Sequence, residues 1–156
     1  MSRYVNVPGK TWVLDTDTVY VPMCWKVQHW VGLAINISLS HIEILDPYPP
    51  LKYDRQVEKP ICDMFPYVVK NLCPQASQQQ GASPYTWNRV KDIYLNQRSG
   101  DCGPVSIKFM EIHSAGDPDP HMFGLTDNHV DAFRKQYALD LYRGLVMPLY
   151  FPARSL

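Results

Sequence analysis

The stretch HWVGLAINISLSHIEILD, residues 29–46, carries two strand patterns joined by a short polar turn, and it decides the fold. Residues 30–37 and 41–46 are rich in β-branched and apolar side chains, which favour a pleated, half-buried surface. The Ser-Leu-Ser sequence between them favours a tight reversal of the chain. We therefore expect an antiparallel hairpin.

The two ends of this hairpin bring a histidine and an aspartate together. With a turn centred near Ser38, the numbers of facing residues sum to about 76, so Trp30 lies opposite Asp46 and His29 is one step along. The Asp46 carboxylate could then accept the Nδ1–H of His29 and leave Nε2 for a thiol. Taken singly, His29 also fits a half-buried residue at a sheet end, and Asp46 a turn residue before Pro47.

The rest of the chain alternates between strand and helix patterns. The predicted segments are a strand at 18–23, a helix at 56–73, a short strand within 86–95, and helices at 102–113 and 126–143. The polar stretch 75–84 favours an exposed loop. Thr126 or Asp127 would cap the last helix, whose apolar side comprises Val130, Phe133, Tyr137, Leu141 and Tyr142. This order predicts an α+β fold with a small mixed or antiparallel sheet flanked by helices.

A cysteine stands at the start of one predicted helix, in the sequence Asp-Cys-Gly-Pro, 101–104. Asp101 is a good N-cap residue, and Pro104 is tolerated in a first helical turn. Cys102 should therefore lie where the helix dipole and free N–H groups stabilise a thiolate. The alternative is a buried first-turn cysteine without chemistry.

Two amide side chains precede this cysteine. Thiol catalysis needs a donor for the developing oxyanion, and Asn96 or Gln97 could supply it together with the backbone N–H of Cys102. The longer side chain favours Gln97. Ordinary loop polarity would equally explain both residues.

Composition excludes several classes of protein. The chain has 15 basic and 15 acidic residues among 156, so its net charge of zero argues against a nucleic-acid or anionic-membrane surface. No apolar run is long enough for a transmembrane helix, and the first residues lack a secretory pattern. We expect neither a nucleic-acid nor a membrane partner, and an intracellular location in the nucleus or cytoplasm.

The four cysteines have no zinc-binding spacing, so no metal or cofactor is implied. Free thiols in a reducing compartment are expected. Cys24, Cys62 and Cys73 then fit buried small apolar residues.

Taken together, these residues resemble the ubiquitin-like-protein-specific cysteine proteases, the SUMO protease and adenain clan. The resemblance rests on His29-Trp30, the strand Ile42 to Asp46, the amides Asn96 and Gln97, and Asp101-Cys102-Gly103, in that order. It runs from about residue 18 to 145. The Gly-Asp-Cys-Gly-Pro and Phe-Arg-Lys-Gln-Tyr stretches look closest to plant versions associated with transposable elements.

The resemblance implies a papain-like fold and thiol hydrolysis after the Gly-Gly tail of a ubiquitin-like modifier such as SUMO. It makes Cys102 the nucleophile, His29 the general base and Asp46 its orienting partner. In this family the Trp after the His covers the Gly-Gly tail, so Trp30 would bind substrate. The modifier and its conjugates would be the partners.

The sequence also departs from the family pattern. The family amide lies six residues before the cysteine, which is Asn96 here. A helical portion with a Trp-Leu-x-Asp motif normally precedes the first strands, so residues 1–156 resemble a single domain shortened at its N-terminus. We expect such a chain to expose an apolar patch near Tyr20 and Trp30. The alternative function is a weakly active or inactive binding module, or a transposon-derived remnant.

Overall fold

The computed structural model describes residues 16–25, 28–51 and 85–150, which form a mixed sheet with helices packed on it. The strands are β1 (Thr18–Trp25), β2 (His29–Asn36), β3 (His41–Leu45) and β4 (Thr86–Arg89), ordered β1-β2-β3-β4. The first three are antiparallel, and β4 runs parallel to β3. A 3₁₀ turn spans Pro49–Leu51. The helices are α1 (Cys102–Ser114), α2 (Asp127–Leu141), a π-helical turn (Tyr142–Val146) and α3 (Met147–Tyr150).

The predicted α+β class, the hairpin, the strand after residue 85 and the helix beginning at Cys102 are all confirmed. The predicted helix 56–73 and the loop 75–84 lie outside the described residues. Among the described residues, no helix is both long and apolar enough to cross a bilayer.

The predicted register of the hairpin was wrong by one residue. Asn36 pairs with His41 and Gly32 with Leu45, because the reversal uses four residues, 37–40. Asn36 Oδ1 accepts the Leu39 N–H, and Ser40 has a positive φ of 50°, which closes the turn. Trp30 therefore does not face Asp46.

The corrected register places His29 and Asp46 on the same face of the sheet. Val31 and Ile44, their strand neighbours on that face, are buried in one apolar cluster. The opposite face packs against α1, where Leu45, Val105 and Phe109 belong to a second cluster.

Gly32 sets the approach of α1 to β2. A Cβ at this position would lie 2.7 Å from Met110 Cγ and 3.2 Å from the carbonyl oxygen of Ser106. The missing side chain therefore allows the helix to pack directly on the strand.

The predicted start of α2 was right, but fewer of its apolar residues are buried than its periodicity predicted. Thr126 caps α2 through a capping box with His129, while Val130 and Phe133 are buried. Leu141 and Tyr142, which the periodicity placed on the buried side, are exposed.

Candidate active site

The predicted contact between the histidine and the aspartate is present, through the other ring nitrogen. His29 Nε2 lies 2.8 Å from Asp46 Oδ1, and both side chains are buried. An ionised carboxylate can only accept, so the Nε2–H donates to it and Nδ1 remains as the basic nitrogen. The expectation that Nδ1 would bond to Asp46 and leave Nε2 for a thiol was wrong, because the strand start presents the opposite edge of the ring.

Asp46 is fully buried and has two further polar partners besides His29. Its Oδ1 also accepts the backbone N–H of Tyr48 at 2.9 Å, and its Oδ2 lies 3.1 Å from Arg89 Nη1. The N–H of Tyr48 fixes the turn after β3. Arg89 was not foreseen as a site residue, since its position beside Asp46 depends on the parallel pairing of β4 with β3, which no local pattern reveals.

Cys102 lies in the first turn of α1, as predicted, and is a partly exposed free thiol. Its sulfur is 3.7 Å from the carbonyl oxygen of Gln28, the residue that precedes His29. The start of the helix and the start of β2 therefore meet at the thiol. This contact brings Cys102 to the chain segment that carries the imidazole.

Ser106 joins the same two elements one turn further along α1. Its buried hydroxyl lies 2.7 Å from the carbonyl oxygens of both Trp30 and Cys102. A hydroxyl has one proton, so it donates to these two acceptors in alternation or as a shared bond. The contact fixes the position of α1 relative to β2.

Asp101 occupies the N-cap position, but its side chain makes no capping hydrogen bond. The carboxylate is buried and pairs with Arg98 Nε at 3.0 Å and Arg134 Nη1 at 2.6 Å. Arg98 also pairs with Asp131 at 2.6 Å, and this hydrogen bond lowers the pKa of Asp131. The predicted capping role was wrong because two arginines draw the carboxylate towards α2.

The two candidate amides have different environments. Asn96 is buried, and its side chain accepts the N–H of Arg98 and donates to the carbonyl of Arg98, both at 3.1 Å. Gln97 is exposed. The Asn96 amide thus shapes the loop before Cys102, whereas the Gln97 amide is accessible to a bound molecule.

Trp30 is a half-exposed aromatic beside the thiol. Its ring lies next to Gly103, where an added Cβ would be 3.6 Å from ring atom Cδ1. Across the sheet it faces Cys24, a partly exposed free thiol rather than the buried residue expected. Cys62 and Cys73 lie outside the described residues.

The remaining histidines of the described chain have structural partners. His113 contacts Tyr20 and Glu43, His41 contacts Thr86 and Asn88, His121 contacts Asp117, and His129 completes the cap of α2. Among the described residues, no group of three or more possible ligands could hold a metal ion.

Comparison with known proteins identifies the family. The profile of the Ulp1 protease family, C-terminal catalytic domain, matches residues 3–149, and the chain therefore belongs to this family. No curated protein matches the sequence significantly.

Solved structures of the SUMO protease Ulp1 share the fold. Three of them, with the catalytic cysteine oxidised to a sulfonic, sulfenic or sulfinic acid, each align with a TM-score of 0.62 and 13% identity. Each alignment covers 86% of this chain and 56% of the solved chain. The chain thus spans a little over half the length of the proteins it matches.

Proposed function

We propose that this chain is a cysteine peptidase that cleaves after the C-terminal Gly-Gly of a SUMO-type ubiquitin-like modifier, from precursors or conjugates. The observations that support it best are the buried His29–Asp46 pair and the helix-start thiol of Cys102, whose sulfur lies 3.7 Å from the carbonyl oxygen of Gln28, the residue before His29. Family membership favours the same chemistry.

The proposed reaction is acyl transfer through a thioester. His29 takes the proton of the Cys102 thiol, and the thiolate attacks the carbonyl carbon of the second glycine of Gly-Gly. The tetrahedral intermediate collapses to a thioester as His29 donates the proton to the leaving amine. Water, activated by the same imidazole, then releases the modifier. Asp46 keeps the ring oriented and stabilises its charged form.

The oxyanion of the intermediate requires donors in place before it forms. The backbone N–H of Cys102 belongs to the first turn of α1, where N–H groups have no partner four residues back. The exposed amide of Gln97 supplies a second donor in this proposal. Asn96 is the alternative, at the family spacing of six residues before the cysteine.

Trp30 is proposed to cover the Gly-Gly tail. A half-exposed ring beside Gly103 offers a flat apolar wall for two residues without side chains. Trp30→Ala should therefore raise KM for the modifier, while alkylation of Cys102 by iodoacetamide should proceed at the rate of the unsubstituted chain.

A SUMO-type modifier with a C-terminal electrophile tests the proposal directly. The probe should form a covalent adduct with the chain that Cys102→Ala and His29→Ala abolish. Cys24→Ala is the matched control, because it removes another free, partly exposed thiol and should leave labelling intact.

The outcomes separate the proposed peptidase from its main alternative. Binding of the modifier without an adduct would favour an inactive binding module. Labelling by a ubiquitin probe at equal rate would remove the assignment to SUMO-type modifiers.

A further inference from the structure

We propose that Arg89 is a positioning residue of this site, which holds the Asp46 carboxylate and, through it, the His29 imidazole. This inference rests on the proposed function, and it assigns a role to a strand outside the hairpin and the cysteine helix.

The parallel pairing of β3 with β4 brings Arg89 to the carboxylate. Arg89 is in register with Ile44, and Asp46 follows two residues later on the same face of β3. Arg89 Nη1 lies 3.1 Å from Asp46 Oδ2 and 2.9 Å from the carbonyl oxygen of Pro49. The guanidinium thus links the aspartate to the chain that leaves β3.

The same guanidinium reaches the imidazole by a second route. Its Cζ atom lies 5.8 Å from the centre of the Trp25 ring, and that ring is 6.1 Å from the His29 ring. Trp25 and His29 are register partners at the end of the β1–β2 pair. Each of the four side chains His29, Asp46, Arg89 and Trp25 therefore contacts two of the others. The imidazole is restrained by Asp46 on one side and by Trp25 on the other.

The buried charge of Asp46 explains why a cationic side chain is needed at position 89. Asp46 is fully buried, and a neutral imidazole supplies no charge to balance it. Among the side chains that the structure describes, Arg89 is the permanently charged cation paired with this carboxylate. Arg89 Nη1 makes both polar contacts while the planar guanidinium lies near the Trp25 ring; a lysine would keep the charge but has no planar group to keep this contact with Trp25.

The test compares Arg89→Lys and Arg89→Met in the full chain. We measure the rate at which iodoacetamide alkylates Cys102 across a pH series, by mass spectrometry of the Cys102 peptide, together with kcat and KM for a SUMO-type precursor. Arg89→Lys should fold normally and lose roughly 10-fold to 100-fold in kcat, with KM unchanged, since small misplacements of catalytic groups have costs of this order. The pH dependence of its alkylation should shift from that of the unsubstituted chain.

Lys108→Met is the matched control. Lys108 also pairs with a carboxylate, Glu111 at 2.9 Å, and lies over an aromatic ring, Phe133 at 6.0 Å, in the middle of α1. It should leave the alkylation rate and kcat unchanged.

The results distinguish this inference from the proposed function. Alkylation as fast in His29→Ala as in the unsubstituted chain would overturn both. If Cys102 is alkylated slowly in His29→Ala, but Arg89→Lys matches the unsubstituted chain in kcat and in the pH dependence of alkylation, the proposed role of Arg89 is wrong and the proposed function stands. If Arg89→Met fails to fold, the result for Arg89→Lys alone decides whether Arg89 positions the site.

Discussion

At the scale of single residues, Asn96 and Gln97 show that neighbouring amides can have different environments. The first is buried and bonded at both ends of its amide to Arg98, and the second faces solvent. The sequence pattern singled out both residues and favoured Gln97 for its longer side chain, but it could not predict which amide is buried, since burial depends on how the loop folds.

These different environments predict that truncation of Gln97 affects turnover and truncation of Asn96 affects stability. Gln97→Ala should lower kcat by about 10² to 10³ with an unchanged Tm, because it removes the proposed oxyanion donor. Asn96→Ala should lower the free energy of unfolding by about 1–3 kcal/mol, because it leaves the Arg98 backbone groups without their partners. Turnover and thermal melting of both variants check this. The reverse pattern would assign the oxyanion to Asn96.

Ser106 predicts a second residue-level effect. Ser106→Ala removes the donor that the Trp30 and Cys102 carbonyls share, and should reduce the free energy of unfolding by about 1–3 kcal/mol. Labelling of Cys102 by the modifier probe should slow as well. Ser114 also donates to a carbonyl of α1, that of Glu111, but in solvent at the far end of the helix, so Ser114→Ala is the control. Equal effects of the two substitutions would contradict a role of Ser106 at the site.

At the scale of elements, local periodicity was sufficient to predict the four strands and the two long helices of the described residues, in their order. Alternation in 41–45 and the proline-bearing helix start at Cys102 are local signals, and both elements form as predicted. The register needed the length of the turn, which depends on the αL backbone of Ser40 rather than on any hydrophobic pattern. The partnership of Arg89 with Asp46 needed the sheet order, which is a property of distant segments.

The close packing of α1 on Gly32 leads us to predict that a side chain at this position would displace Cys102 and lower activity. In Gly32→Ala, Met110 can swing away, but the Ser106 carbonyl is backbone and must shift by a few tenths of an ångström. The helix start then moves away from β2, so kcat should fall more than the loss of stability alone explains.

Gly144→Ala is the control for this substitution. A Cβ there has no atom within 4 Å, so the variant should keep both Tm and kcat. Full activity in Gly32→Ala would show that the site tolerates the displacement.

At the scale of the whole molecule, the exposed large apolar side chains of the described residues are most numerous between residues 139 and 150. Tyr20, where we expected exposure, is half-buried, and its hydroxyl bonds to His113. Burial by α1 raises the pKa of Tyr20, with a smaller contribution from Glu43. Trp30 is 41% exposed. Seven of the exposed large apolar side chains instead lie in α2, the π-helical turn and α3, at Leu139, Leu141, Tyr142, Leu145, Val146, Met147 and Tyr150.

This group predicts how solubility can be separated from activity. Leu145 and Tyr150 are 65% and 75% exposed, so Leu145→Lys with Tyr150→Ser should cost little stability and raise the soluble fraction of the expressed chain. Labelling of Cys102 by the modifier probe should not change. Slower labelling would mean that this end of the helix contacts the modifier. Sedimentation of the lysate and probe kinetics give the two readings.

The parallel pairing of β3 with β4 has a consequence for the order of folding. It joins Ile42 to Trp87, about 45 positions apart, whereas the β2–β3 hairpin closes over four residues. Local contacts form faster than distant ones, so the imidazole and its carboxylate should meet early, and the guanidinium should arrive with the later strand. The thiol follows in the chain after both. A growing polypeptide therefore assembles the proposed base before it contains the proposed nucleophile, and thiol reactivity at this site can appear only after residue 102 has been synthesised.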